Sequence, residues 1–128
     1  MKIAPLIARI LLGAIFVFAG SNHLFNFLGK QPLPPGPGGQ LIGAMVETGY
    51  LNFIGVMEVI GGLLLLVNQF VPFGLAILGP LVVNILVLNA LIMPKALPVA
   101  IVMAILWVLG AWPFRSLFFT ILQRKPAV

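Results

Sequence analysis

The chain has 128 residues, of which 62% are hydrophobic and only 7% charged, and its mean hydropathy of +1.22 exceeds what a water-soluble domain of this size can bury. Lipid is therefore the expected solvent. The absence of cysteine excludes thiol–disulfide chemistry, thiolate metal sites and iron–sulfur clusters. The net charge of +5 does not read as nucleic-acid binding, because the seven Lys and Arg are scattered at helix ends instead of clustered on one face.

The first predicted helix covers 5–28, about 24 residues, enough to cross a hydrocarbon core of about 30 Å. A secretory signal peptide is the competing reading, since Lys2 is basic and the VFAG at 17–20 resembles a cleavage site, but the apolar run continues through Leu24, Phe25 and Phe27. Arg9, Gly13, Phe16, Gly20 and His23 recur at alternating steps of four and three, which puts them on one face, turned toward the other helices. Residues 29–40, GKQPLPPGPGGQ, have too many prolines and glycines for helix or strand and predict an extended loop outside the membrane. Residues 41–50, LIGAMVETGY, suit a short interfacial helix with Glu47 solvated and Tyr50 in the aromatic belt.

The second predicted span, 51–67, is LNFIGVMEVIGGLLLLV, an apolar run with Glu58 inside it. An acid in hydrocarbon costs roughly 2.5–3.5 kcal/mol on insertion scales, so it is kept where it faces other helices, finds a partner or does chemistry. Gly61 and Gly62 let another helix's backbone come close. A short turn at Asn68, Gln69 and Pro72 leads to the third span, 73–92, which contains Pro80, a predicted kink, together with Asn84 and Asn89. The fourth, 97–119, follows Pro94, Lys95 and Pro98 and contains Trp107 and Trp112, read as lipid-facing or packing aromatics. The expected fold is an all-α integral membrane four-helix bundle, up-down antiparallel, with a proline-rich outer loop and a short interfacial helix between helices 1 and 2.

Basic residues set the expected orientation. Lys2, Arg9, Arg115, Arg124 and Lys125 lie on the side of the termini, against Lys30 and Lys95 on the other, so both termini are expected in the cytoplasm. Counted at about 1.5 Å per residue from the outer helix ends, His23 lies about 7 Å deep, Glu58 about 10 Å and Asn89 about 5 Å. Asn22 shares that level, and Asn84 is deeper. These five are the candidate binding residues; none is assigned as catalytic. For Glu58 and His23 two readings stand side by side: a mutual hydrogen bond that fixes packing, and a ligand or proton site. One histidine with one or two carboxylates falls short of a metal's ligand shell, so no metal is expected. Arg9, at the opposite end, is expected to reach lipid phosphate or the turn at Asn68 and Gln69.

These residues also carry a resemblance. FAGSNHLF at 18–25, PLPPGPGG at 32–39, ETGYL at 47–51, MEVIGGLLLLVNQFVP at 57–72 and PLVVNILVLNALIMP at 80–94 together resemble the DoxX-like family of small four-helix bacterial membrane proteins, in the branch with a proline-rich first loop. The likeness runs to about Pro98. The chain departs from that branch at Gln69 and Asn89, where a basic residue and a histidine are expected. The resemblance implies a multi-pass protein of the bacterial inner membrane, and associates it with quinone-linked or oxidative-stress oxidoreductase assemblies. The first expected function is a non-catalytic or quinone-binding subunit of a membrane oxidoreductase system, with a quinone head group held by His23, Glu58 and Asn89 at their shared depth. The alternative is an assembly or chaperone-type partner of another membrane protein. A small proton-coupled transporter is a third, weaker reading, because the acid of such transporters belongs to the first helix. The expected partners are the bilayer and either a membrane protein or a second copy, with no nucleic acid.

Overall fold

The computed structural model describes residues 3–25, 33 and 35–122. Among these there is no strand. The order is α1 (Ile3–Phe25), α2 (Pro37–Thr48), α3 (Tyr50–Leu66), α4 (Val71–Leu91), a 3-10 turn at Pro94–Ala96, α5 (Leu97–Ala111), a second 3-10 turn at Trp112–Phe114, and α6 (Arg115–Ile121). Three stretches, Ile3–Phe25, Val71–Leu91 and Pro94–Ile121, are long and apolar enough to cross a membrane, and α2 with α3 makes a fourth if that bent pair counts as one span. Large apolar side chains such as Phe18, Phe53, Phe73, Val83 and Ile105 point outward all around. Such an outer surface fits a multi-pass membrane protein and not a monomer in water.

The four longest helices close a ring of contacts, α1 on α3 and α5, α4 on α3 and α5. Leu12, Phe16, Leu65, Leu75 and Leu78 fill its middle. The face of α1 expected to turn inward does so, with Arg9, Gly13, Phe16 and Gly20 all buried. α1 and α3 are antiparallel and in near backbone contact. A Cβ on Gly13 would lie 2.8 Å from the Gly62 carbonyl oxygen, and one on Gly62 would lie 2.7 Å from that of Gly13. Gly20 and Gly55 repeat the arrangement one heptad on, at 2.5 and 2.9 Å. Only glycine permits this approach. The neighbouring Gly61 faces the other way, onto Leu78 of α4, so the glycine doublet serves two helices.

Two boundaries differ from the sequence expectation. α2 begins at Pro37, inside the stretch read as extended loop. Gly36, at φ 81°, turns the chain, and Pro37 opens the helix where its missing N–H is no loss. Gly38 and Gly39 are buried, and a Cβ on Gly38 would lie 2.8 Å from Met93 Cγ at the end of α4. The loop at 29–32 and 34 and the expected first-helix end at 28 lie outside the described residues. α2 ends in Gly49 at φ 82°, and α3 leaves it at 86°, the geometry of a helix lying across the end of the others. The second difference is in the fourth span, where the single helix expected over 97–119 breaks at Trp112–Phe114. Pro113 cannot donate to the Leu109 carbonyl, and the chain tightens into a 3-10 turn.

α4 continues as one helix through Pro80. Beside it Trp107 packs on Gly79 and donates its indole N–H to the Leu75 carbonyl at 2.9 Å, so this tryptophan is a packing residue. Arg9 differs from its expectation. Instead of extending to the surface or to Asn68 and Gln69, it is nine-tenths buried, its Nη1 donates to the Gly110 carbonyl at 3.3 Å, and its guanidinium lies 5.4 Å from the Phe114 ring centroid. Gly110 is in the last turn of α5, where carbonyls lack helical donors and the dipole's negative end lies. Arg9 caps that end.

Candidate functional site: a buried imidazole–carboxylate pair

The α1–α3 register explains how His23 and Glu58 meet. Side chains on a helix lean toward its own N-terminus, and in an antiparallel pair these directions oppose. His23 leans back along α1 and Glu58 back along α3, and they converge at the Gly20–Gly55 contact. A Cβ on Gly20 would lie 3.0 Å from Glu58 Cβ, and one on Gly55 would lie 3.1 Å from His23 Cβ. The two glycines make room for the two polar side chains. His23 Nδ1 lies 2.9 Å from Glu58 Oε1. Both atoms are buried, and despite their closeness neither makes a well-aligned hydrogen bond, to the other or to any described residue.

Burial is asymmetric across the pair. Glu58 is 3% exposed, whereas the His23 side chain is 29% exposed, and because Nδ1 is covered, the open part of the ring lies elsewhere on it. Arg9, fourteen residues from His23 on the same helix, is about 21 Å away along the axis and does not compensate this carboxyl. Sharing one proton between Nδ1 and Oε1, with Nε2 bare, leaves the pair one net negative charge, and a second proton on Nε2 makes it neutral. With that proton on Nδ1, Nε2 is left as an acceptor. When Nε2 takes a proton from a neighbour, the Nδ1 proton can pass to Glu58, and the ring becomes a donor. A buried carboxylate behind an imidazole thus sets which hydrogen bond the ring offers outward.

Asn84 and Asn89 are not brought to this pair. Asn22 is half-buried and has an interaction of its own. Asn84 is exposed on the outer side of α4. Asn89 is buried, at 7% exposure, but by the α3–α4 register, with Gly61 on Leu78 and Gly74 on Leu64, Glu58 is level with the Pro80 region. Asn89 is nine residues further, about 13 Å along the axis. The depth count from helix ends put it beside the pair because it took no account of the actual register. Sequence reading missed Gly55, although its heptad spacing from Gly62 matches that of Gly13 and Gly20. Among the described residues no group of three His, Cys, Asp or Glu could hold a metal.

Comparison with protein-family models, curated proteins and solved structures returned no match for this chain.

Proposed function

We propose that this chain is a DoxX-like protein of the bacterial inner membrane, an up-down bundle of four spans with both termini cytoplasmic, and that it is a non-catalytic subunit of a membrane oxidoreductase system that binds a quinone head group at His23. The observation that supports this most is the 2.9 Å contact between a buried carboxyl and an imidazole that stays partly open. An open imidazole edge fits a carbonyl or hydroxyl oxygen of a quinone or quinol, and Glu58 fixes the ring and takes up its proton. The quinone would supply the electron chemistry for which the chain has no group of its own. His23 is the direct contact, and Glu58 acts through it. The four-span reading is supported by stacked Tyr50 and Phe53 at one end of the helices and Arg115 over Trp112 at the other, residue types that settle at membrane surfaces.

Mass spectrometry of the solvent extract from purified wild type and Glu58→Gln, normalised to protein, tests this. Near-stoichiometric quinone in wild type that falls severalfold in the variant supports the site. Equal trace amounts in both would count against it. The second reading, an assembly partner for another membrane protein, is favoured by the tightness of the seam at the pair, where Gly20 and Gly55 bring the backbones of α1 and α3 nearly into contact. On that reading Glu58→Gln loses abundance and not ligand.

A further inference from the structure

Asn84 sits where a membrane helix does not ordinarily leave a carboxamide. It is about 20 Å along α4, a helix about 31 Å long, and it is exposed. It has no side-chain hydrogen bond to another described residue. Ala76 and Pro80 lie on the same outer face and are exposed as well. Because Pro80 has no N–H, the Ala76 carbonyl lacks its helical donor. One face of α4 therefore combines a free carboxamide, an under-satisfied carbonyl and two small side chains, between the exposed Phe73 and Val87. Polar groups at this depth are satisfied by protein, not by lipid tails.

We propose that this face of α4 is the contact surface for a second copy of the same chain, packed in parallel about a two-fold axis along the membrane normal. Two features select that occupant. A carboxamide has both a donor and an acceptor, so its complement is another carboxamide. In a membrane, copies inserted in one orientation place every residue at the depth of its counterpart, so that a two-fold axis brings Asn84 onto Asn84. A pair of reciprocal amide hydrogen bonds then closes the contact, with Pro80 and Ala76 leaving space for the backbones to approach. This rests on the membrane-spanning reading and is independent of the quinone site.

The chain has no cysteine, so a single introduced thiol reports the contact cleanly. Val87→Cys, one turn from Asn84, should form an oxidised dimer in bacterial membranes, whereas Val102→Cys on the outward side of α5 should not. Adding Asn84→Leu to Val87→Cys should lower the dimer yield roughly tenfold, while Asn84→Gln, which keeps the carboxamide, should preserve most of it. Alkaline carbonate washing of the same membranes reads insertion separately. Equal yields at 87 and 102, or a yield indifferent to Asn84→Leu in protein that stays in the membrane, would overturn the contact. A different protein captured on this face in place of the dimer would overturn it as well. Release by carbonate would overturn the membrane reading beneath it.

Discussion

The two most deeply embedded charged side chains are treated in opposite ways. Glu58 sits 2.9 Å from an imidazole whose ring stays partly open. Arg9 has a carbonyl and an aromatic face, neither of which accepts a proton, so its role is structural. Replacing Arg9 with Met should therefore lower stability by about 1–2 kcal/mol, from the lost charge-assisted hydrogen bond and the lost cation at the α5 C-terminus. Thermal unfolding in detergent would show this as a lower midpoint with quinone content per folded molecule unchanged. A higher midpoint would mean that the unpartnered Nε costs more than the cap contributes. Glu58 was legible in the sequence as a lone acid in an apolar run. Arg9's partner was not, because Gly110 lies 101 residues away and nothing local points to it.

Among the elements, the α1–α3 seam positions everything else, and it depends on four glycines in two reciprocal pairs. Gly20→Ala places a methyl 2.5 Å from a backbone oxygen that cannot rotate away, so the helices must part. The expected loss is about 1–3 kcal/mol, with the His23–Glu58 contact weakened because it straddles the same point. Gly43→Ala is the control, since its Cβ would meet only the flexible end of Leu33 at 3.3 Å. Unfolding midpoints of the two variants should differ clearly; equal midpoints would contradict the seam. The four-and-three spacing along α1 made its inward face readable without a structure. Pairing Gly13 with Gly62 and Gly20 with Gly55 was not readable, because spacing identifies a face and leaves the slide between helices open. The start of α2 was hidden for a related reason. Prolines and glycines break helices in most settings, and here one proline opens a helix while Gly38 packs beneath Met93.

At the scale of the whole molecule, apolar blocks and their punctuation located the starts of the four long helices to within two residues and the ends of α3 and α4 to within one, since hydrocarbon length and proline positions act locally, whereas the fourth expected helix ends early, as α5, at Ala111. The arrangement of polar groups did not follow from depth alone. Of the five candidate side chains, the fold joins His23 to Glu58, turns Asn84 outward and leaves Asn89 near the α2 end. One polar pair inside and one polar group outside are the separate features on which the proposed ligand site and the proposed neighbour contact rest. His23 is the chain's single histidine, so 15N-histidine labelling gives one imidazole to observe. The decisive measurement is solid-state 15N NMR of that ring in bilayers, titrated with quinol. The expected result is an Nδ1–H held toward Glu58 and an Nε2 signal that shifts as quinol is added, with the shift lost in Glu58→Leu. An Nε2 signal that stays fixed through the titration in correctly folded wild type would contradict it.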